Sequence, residues 1–384
     1  MSMQQSEKKE NDGSIWNKSN VMPIFNKVLA WGTLFAALYI LRSFFLLVFF
    51  TFVFAYIQTR GVKRLERFVR NRTLRVLIMA SLILGILTAA GIFLVPKVKQ
   101  QTEIFVSKFT EYVARMDQEL FIFGAKYPIV KEIIPQLKTD EVTELTAKAP
   151  VAKSPTMALL QHLAGLGEEA PGLKNMNQVL ERLGGISGRI ASASSAFLLS
   201  LLFSFLIVLD MPNLRENVAE LKKTKLSFIY LEVSENIRDF ANVLGRSLEA
   251  QLIIAIMNSF LTAIGISILG LGQSVAFLSV IVFFCSFIPV AGVFVSSIPI
   301  CLISLQTSGL QTMLLSIVMV TVIHLIEGYI LNPRIYGTYM RINPVIVLII
   351  LTIGGKLFNL WGLILGVPVC TYIFGYAIKG KTAE

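Results

Sequence analysis

The chain has 384 residues, a formal net charge of +11, and a composition that is 54% hydrophobic and only 15% charged. Soluble domains usually carry about 25% charged residues, and a soluble chain this apolar would expose apolar patches that cause aggregation. The composition therefore excludes an ordinary soluble protein and predicts a lipid bilayer as the solvent for most of the chain.

The N-terminal segment, residues 1–22, is polar and mixed in charge. It lacks the apolar core and the small-residue cleavage site of a secretory signal peptide. We therefore expect a disordered cytoplasmic tail, followed by transmembrane helices 1–3 in residues 23–96.

Residues 24–59 are nearly all apolar. One helix of that length would extend about 54 Å, whereas the hydrocarbon core is about 30 Å thick. The polar pair Arg42-Ser43 interrupts the run and predicts two helices in a hairpin, 24–41 and 43–59. A third span is predicted for residues 73–95, closed by Pro96.

A short basic loop lies between the second and third predicted spans. Short positive loops stay cytoplasmic, which places the N-terminus inside and the segment after the third span outside. Anionic lipid headgroups are the predicted partners, because nucleic-acid binding would need aromatic residues interleaved with the basic ones. The loop contains one acid, Glu66, and the basic residues Arg60, Lys63, Arg64, Arg67, Arg70, Arg72 and Arg75.

Residues 97–185 are predicted to form an extracytoplasmic helical segment. Prolines and mixed charges in its later part indicate short helices joined by turns. We favour a cap or a contact between subunits over a solute-binding domain. The segment opens with an amphipathic stretch whose apolar positions follow a helical period: Ile104, Phe105, Phe109, Tyr112, Val113 and Met116.

The middle of the chain predicts one span and one surface helix. Residues 186–210 form transmembrane helix 4, which ends at Asp210-Met211-Pro212. Residues 211–242 place lysines beside aromatic and aliphatic side chains, a pattern typical of an amphipathic helix on the cytoplasmic side of the membrane.

Residues 243–378 are the predicted C-terminal transmembrane core. Its spans are 244–271, 274–305, 310–331 and a long last region, 344–378. The second of these is broken by Pro289, Gly292 and Pro299, and the last is expected to break at Gly354, Gly355 or Gly362. The predicted fold class is all-α, a polytopic membrane protein of about eight transmembrane helices with broken or re-entrant segments. An even count returns the tail, residues 379–384, to the cytoplasm.

The sequence shows no signature of an enzyme or of a cofactor site. Cys285, Cys301 and Cys370 lie in apolar runs without a CxxC pair, and two histidines cannot hold a metal alone. The chain contains no GxSxG elbow, P-loop, HExxH or Rossmann glycine pattern. We expect no cofactor and no enzymatic activity.

Polar residues inside the spans are the candidates for a substrate or ion pathway, because a charge in mid-bilayer costs about 2.5–3.5 kcal/mol. Interrupted apolar segments are also the best sequence pointer to a transporter's central site, although a packing kink is the simpler alternative. The candidates are Arg246, Glu249, Gln251 and Asn258 in the fifth span, Pro289, Gly292 and Pro299 in the broken segment, and His324, Glu327, Asn332 and Pro333 at the end of the seventh.

Two helical pairs within this set have specific chemistry. Arg246 and Glu249 lie one turn apart and can pair, so an ion pair that caps the span is the alternative to a role in the pathway. His324 and Glu327 are also one turn apart, and an imidazole that titrates near neutrality beside a carboxylate predicts proton exchange. Lys356 is expected to reach an interface from a broken hairpin.

Several runs together resemble the C-terminal half of the AI-2E family of bacterial permeases, whose name comes from autoinducer-2. These are RSLEAQLIIAIMN (246–258), IPVAGVFVSSIP (288–299), HLIEGYILNPRIYG (324–337), Asn343-Pro344, Gly354-Gly355 and WGLILGVP (361–368). The resemblance covers residues 186–378 well. The family usually has Gln where His324 stands and Asn where Gly328 stands.

This resemblance implies a multipass bacterial inner-membrane protein, often a homo-oligomer, that moves small solutes. Some members resemble exporters of the quorum-sensing signal and others resemble sodium or lithium/proton antiporters. We therefore expect a secondary permease that exports a small polar solute. A monovalent-cation/proton antiporter is the alternative, and a membrane scaffold without transport is a further one.

Overall fold

The computed structural model describes residues 18–126, 156, 186–225, 227–289, 291–336 and 344–373, and no strand occurs in these ranges. Predictions for residues 1–17, 374–384 and most of 127–185 therefore lie outside the described residues. The disordered tail predicted for residues 1–22 is too long, because α1 already begins at Lys18. The helices are α1 (Lys18–Ile40), α2 (Phe45–Arg64), α3 (Arg72–Lys126), α4 (Ile186–Glu220), α5 (Ser227–Ile268), α6 (Val275–Cys285), α7 (Ala291–Ile326), α8 (Asn332–Tyr336), α9 (Pro344–Phe358) and α10 (Leu360–Tyr372).

Long apolar helices dominate the described part of the chain, which confirms the predicted all-α membrane fold. The stretches that are long and apolar enough to cross a bilayer are Lys27–Arg67, Arg72–Glu119, Ser195–Lys223, Ser227–Ile268 and Ala291–Ile335. Shorter apolar helices cover Gly272–Cys285, Val345–Phe358 and Leu360–Tyr372. The number of complete crossings stays a prediction.

The first apolar run is interrupted where the sequence predicts, at a 3-10 turn over Leu41–Phe44. The predicted hairpin is wrong, because α1 and α2 do not pack side by side. Instead α1 packs on α5 and α2 packs on α4. The reason lies in the turn, whose flanking residues Ile40 and Phe45 keep right-handed helical dihedral angles and so do not reverse the chain.

Helix α3 continues for 30 residues beyond Pro96, so the helix does not end there. The point at which the third span leaves the bilayer stays a prediction. A proline inside a helix removes one backbone hydrogen bond, and here packing further along the helix compensates. The amphipathic stretch after Pro96 lays its apolar face on α5, α6 and α7. Its buried members there are Phe109, Tyr112 and Val113, in one core with Ile266, Leu278, Val282, Ile300 and Ile303.

Helices α2 and α4 pack closely and run in the same direction. The Ser200 hydroxyl donates to the Leu47 carbonyl at 3.0 Å, and further along both helices the Gln58 amide donates to the Ser204 hydroxyl at 2.9 Å. Small and hydroxyl side chains at these contacts let helices approach within a membrane and bond across the interface.

Arg72 supplies a hydrogen-bond donor that Pro212 removes from helix α4. Pro212 lies inside α4 without ending it, so the helix does not end at Asp210–Pro212, and the point at which the fourth span leaves the bilayer stays a prediction. Because proline has no N–H, the carbonyl of Val208, four residues earlier, loses its helical donor. The Arg72 guanidinium donates to Val208 O at 2.6 Å and to Leu209 O at 2.7 Å, and α4 continues to Glu220.

Removing Arg72 should therefore destabilise the fold in a way that Pro212 controls. A hydrogen bond to a charged group contributes about 1.5–3 kcal/mol, so we expect Arg72→Ala to lower the melting temperature of the detergent-solubilised protein. Pro212→Ala restores a donor to Val208, so the double variant should recover part of the loss. Equal losses in the single and double variants would contradict this account.

Residues 211–242 do not form a separate helix. They divide between the end of α4, a 3-10 turn at Leu221–Lys223 and the start of α5. The amphipathic pattern therefore belongs to the extensions of two long helices.

Helices α5, α6 and α7 form an antiparallel set with a re-entrant segment. The Ser259 hydroxyl of α5 donates to Ser279 O of α6 at 2.9 Å. Helix α6 has 11 residues, about 16 Å, which is roughly half of the hydrocarbon thickness. The chain then reverses after Cys285, and α7 packs back against α6.

Helix α7 is itself bent back at Gly309, whose φ of 80° and ψ of −172° lie outside helical values. A positive φ is readily adopted only by glycine. The Ser304 and Ser316 hydroxyls meet at 2.7 Å across this turn, so the two halves of α7 pack as a hairpin. The predicted break at Pro299 is wrong, because Pro299 is buried within the first half of α7 and its packing there holds the helix together.

Helices α9 and α10 form a tight hairpin that turns at Asn359, with φ 52° and ψ −134°. The prediction of a break at Gly354, Gly355 or Gly362 is wrong. Gly354 and Gly362 instead face each other where the backbones touch, and a Cβ on Gly354 would lie 2.9 Å from the Gly362 carbonyl oxygen. Lys356 is exposed near this turn.

Two contacts define the ends of the molecule. An ion pair between Arg60 and Glu249 places the basic loop beside α5, and we call this the basic end. Arg115 donates to Gln306 O at 2.7 Å, which places the far part of α3 beside the turn of α7, at the Gly309 end. Which end faces the cytoplasm stays a prediction.

Candidate functional site

The connection between α6 and α7 is an irregular strap, residues 286–289, produced by a proline and a glycine. Pro289 has no N–H, so the Cys285 carbonyl cannot complete its helical hydrogen bond and accepts from the N–H of Ile288 at 2.9 Å. Gly292 then packs on the same carbonyl, where a Cβ would come closer than 3.0 Å. The break predicted at Pro289 and Gly292 is confirmed.

A cavity opens beside this strap, and we call it the Glu327 cavity. It contains about 450 Å³ of empty space, counted with its open mouth. Helices α5, α6 and α7 all contribute to its wall, and Gly292 lines it too. Its polar lining consists of Asn258, Thr262, Ser286, Ser296, His324 and Glu327.

Glu327 is the acid of this cavity. Its side chain is 14% exposed, and its Oε2 accepts a hydrogen bond of 2.8 Å from the Asn258 amide. The Nδ1 atom of His324 lies 3.7 Å from the same oxygen, with the imidazole about half exposed. The helix pair predicted from sequence is therefore supplemented by Asn258 from α5, so three polar groups of two helices converge.

Glu327 also begins a π-helical turn, Glu327–Leu331. The N–H of Asn332 donates to the Glu327 carbonyl, five residues earlier. Single π turns inside helices occur often at functional sites. Here the wider turn accommodates Pro333, which has no N–H of its own to donate, and it sets the direction in which Glu327 leaves the helix.

Asn258 carries an unused acceptor in this site. The residue is 4% exposed, and its Oδ1 atom has no hydrogen-bond partner among the described residues. An unpaired buried polar atom costs about 1–3 kcal/mol. Because Asn258 lines the cavity, its Oδ1 is available to a solute donor or to a cation. The Asn258 amide nitrogen also reaches the Ser286 hydroxyl at 3.4 Å.

A second cavity lies on the other side of the strap, and we call it the Gln251 cavity. It contains about 310 Å³ of empty space, again counted with its open mouth, and is bounded by α5, the strap and α10. The Gln251 amide donates to the carbonyl of Ser286, which ties α5 to the strap. Its other lining residues include Ser247, Phe287, Pro289, Ile364 and Pro368.

The remaining predicted pathway residues line neither cavity. Pro299 is packed inside α7, and Asn332 and Pro333 begin α8 immediately after the π turn. Arg246 and Glu249 lie at the basic end, where Glu249 pairs with Arg60 of α2.

Several basic-loop side chains are used within the protein. Arg60 pairs with Glu249, Arg72 bonds the carbonyls of α4, and Arg75 is 8% exposed and lies 3.1 Å from Glu66. The side chains that remain exposed, beside an 87% exposed Phe68, are Lys63, Arg64, Arg67 and Arg70.

Three cavity residues were not identified from the sequence: Thr262, Ser286 and Ser296. Each is a small polar residue inside an apolar helix or strap, and hydroxyls often satisfy themselves by bonding the preceding turn. Ser286 and Ser296 do donate to Val282 O and Val293 O. Ser286 and Ser296 could have been identified from the sequence, because they lie close to Pro289 and Gly292 in the chain.

The polar lining of the Glu327 cavity combines a carboxylate, an imidazole, an amide and hydroxyl groups. Among the described residues, no group of three or more His, Cys, Asp or Glu side chains could hold a metal ion. Carboxylate, amide and hydroxyl oxygens suit a hard monovalent cation or a small polar molecule.

Comparison with known proteins gives a family match over most of the chain. A sequence model described as "AI-2E family transporter" matches residues 29–378. The "Putative transport protein YdbI" of Bacillus subtilis is 27% identical over 341 residues, which cover 88% of this chain and 86% of that protein.

Two shorter matches are informative. YrrI, a second Bacillus subtilis protein with the same description, is 30% identical over 132 residues, 34% of this chain and 37% of its own. The "Sodium-lithium/proton antiporter" of Halobacillus andaensis is 25% identical over 206 residues, 52% of this chain and 54% of its own.

Proposed function

The chain belongs to the AI-2E transporter family, and from that premise we propose that this multi-pass membrane transporter is a secondary permease of the bacterial inner membrane that exports a small polar solute, such as a quorum-sensing signal. The observation that carries the proposal is the Glu327 cavity. It lies beside a broken helix, and its wall contains an acid, an imidazole, an amide and hydroxyl groups.

The physical argument starts from the cost of irregular backbone in a bilayer. Backbone that leaves the helical pattern at membrane depth is tolerated only where it is buried in protein or lines a water-filled cavity. The strap borders two cavities, and its neighbours Asn258 and Glu327 offer hydrogen bonds to a solute. No P-loop is present to use ATP, so an ion gradient is the proposed energy source.

The proposal is tested with purified protein in proteoliposomes. Vesicles are loaded with a panel of small polar metabolites, and efflux is measured with and without a proton or sodium gradient. Gradient-dependent efflux of at least one metabolite supports a permease. Efflux equal to that of empty liposomes for the whole panel would argue against it.

Asn258→Ala should reduce this flux strongly. The change removes both the amide that holds Glu327 and the free Oδ1. A hydrogen bond to a charged group contributes about 1.5–3 kcal/mol, so we expect at least about a tenfold loss at low solute concentration. Asn236→Ala is the matched control, since Asn236 lies on the same helix and donates to Glu232 O outside both cavities. A comparable loss in both variants would indicate a general folding effect.

A monovalent-cation/proton antiporter is the second candidate function. It is favoured by the oxygen atoms of Asn258 and Glu327 in one cavity and by the likeness to the Halobacillus andaensis antiporter. Hard cations prefer such oxygen ligands. In everted vesicles with a fluorescent pH probe, proton movement after sodium or lithium, absent after choline, supports this candidate. If sodium and lithium cause no proton movement but metabolites do leave the vesicles, the antiporter candidate is rejected and the permease is retained.

The partners we propose follow from the exposed surfaces. Lys63, Arg64, Arg67 and Arg70 contact anionic lipid headgroups on the cytoplasmic side, with both termini on that side. Residues 97–126 cap the Gly309 end, where they pack on α7. A homo-oligomer stays an expectation from the family, and deletion of the cap without loss of flux would argue against the scaffold alternative.

A further inference from the structure

The two cavities share one wall, and that wall is the strap. Ser286 and Ile288 line the Glu327 cavity, whereas Phe287 and Pro289 line the Gln251 cavity. Successive residues of the strap, which is a hydrogen-bonded turn, therefore line opposite cavities. A four-residue segment is all that separates them along this path.

The cavities are stacked along α5 towards opposite ends of the molecule. Ser247 and Gln251 border the Gln251 cavity, beside the Arg60–Glu249 pair of the basic end. Asn258 and Thr262 border the Glu327 cavity, which lies on the side of the Gly309 end. The 15 residues from 247 to 262 correspond to about 22 Å of helix, a large part of the bilayer core.

A proline of α10 also lines the Gln251 cavity. Pro368 lies inside α10 and therefore removes the helical donor of the Ile364 carbonyl, and both residues line this cavity. Ser247 and Gln251 supply the polar side chains of the same lining.

Side chains of α5 hold the strap in place. The Gln251 amide donates to the Ser286 carbonyl, and the Asn258 amide reaches the Ser286 hydroxyl at 3.4 Å. Ser286 is thus contacted from the Gln251 cavity by Gln251 and from the Glu327 cavity by Asn258, two helical turns further along α5. Its carbonyl comes from a stretch where Pro289 has already disturbed the helical hydrogen bonds.

We propose that the Glu327 and Gln251 cavities are two successive chambers of one route through the protein, and that the strap is the movable barrier between them, latched by Gln251. This inference rests on the proposed function, because it assigns to the same site the second half of the pathway and the residue that closes it. In the described conformation the latch is closed, so solute that enters one chamber does not pass into the other.

The test measures access to single cysteines in the full-length protein in membranes. The background replaces Cys285, Cys301 and Cys370 by alanine. Ser296→Cys reports on the Glu327 cavity and Ser247→Cys on the Gln251 cavity. The exposed positions Arg67→Cys and Ser308→Cys mark the basic end and the Gly309 end. A membrane-impermeant cationic methanethiosulfonate is added to right-side-out or everted vesicles, and the two marker variants establish which end each preparation exposes.

With Gln251 intact, we expect the reagent from the basic end to label Ser247→Cys readily and Ser296→Cys slowly. Gln251→Ala should accelerate labelling of Ser296→Cys from the basic end by about two- to tenfold, the range that a lost neutral hydrogen bond gives. Labelling of Ser247→Cys should stay the same. Gln251→Glu should act like Gln251→Ala, because an ionised carboxylate cannot donate to the Ser286 carbonyl.

Three results would overturn the proposal: no acceleration at Ser296→Cys in either Gln251 variant, fast labelling of Ser296→Cys from the basic end before the latch is changed, or no access to Ser247→Cys from that end. If Gln251→Ala fails to fold, Gln251→Glu decides, and unchanged marker labelling verifies the fold. No transported solute is needed, so this test and the flux assay fail separately.

Discussion

Glutamine in place of Glu327 should abolish gradient-dependent flux while leaving the protein folded. Gln has nearly the same shape, but it carries neither a negative charge nor an exchangeable acid proton. Glu327 is largely shielded from solvent, it accepts from Asn258, and His324 is the only basic group in an ion pair with it among the described residues. We therefore expect flux at the level of empty liposomes, with a normal gel-filtration profile.

The comparison variants separate the acid from the fold. Glu327→Asp keeps the acid on a shorter side chain, so partial flux is expected. Glu232→Gln is the matched control. The Oε1 atom of Glu232 lies 3.9 Å from Lys27 Nζ, on a part of α5 away from both cavities. Wild-type flux in Glu327→Gln, with an unchanged response to the proton gradient, would remove Glu327 from the mechanism.

The sequence predicts the membrane fold well because apolar length is a local property. The composition and length of residues 24–59 and 344–378 predict that they are membrane segments and that each is too long for a single straight crossing. How the chain is interrupted within each apolar run is not set by local composition. Arg42-Ser43 produces a 3-10 turn without reversal, whereas Asn359, a residue with no proline or glycine beside it, produces the tight turn of the last hairpin.

Whether a proline ends its helix was likewise not predictable from the local sequence. Pro289 ends a helix, whereas Pro96, Pro212 and Pro299 are continued through. The difference lies in tertiary contacts, such as the guanidinium of Arg72 on the Val208 carbonyl, which the spacing of residues does not reveal.

The candidate site was partly predictable for a related reason. Charged and amide residues in apolar helices are rare and costly, so Asn258 and Glu327 were visible as candidates separately. Their contact was not, since 69 residues separate them. The partner of Glu249 was missed for the same reason, because Arg60 lies 189 residues away.

Alanine at Gly292 should open or unfold the strap, with the largest effect of any single methyl group in the site. The new Cβ would overlap the carbonyl oxygen of Cys285, well inside the 3.0 Å that real Cβ atoms respect. That carbonyl is backbone and already accepts from Ile288, so it cannot move without separating α6 from α7. Overpacking of this kind costs about 1–3 kcal/mol or more, and we expect a lower melting temperature in detergent together with loss of flux.

Two other glycines give matched controls for Gly292→Ala. At Gly265 a Cβ would also overlap a neighbour, but that neighbour is the flexible end of Met319, which can move aside. At Gly328, next to Glu327, nothing lies within 4 Å, and alanine is the better helix former there. We expect a mild effect at Gly265 and near-normal flux at Gly328. A Gly292→Ala protein as stable and active as Gly328→Ala would show that α6 and α7 can separate freely, and that the strap is not held as closely as the packing on Cys285 requires.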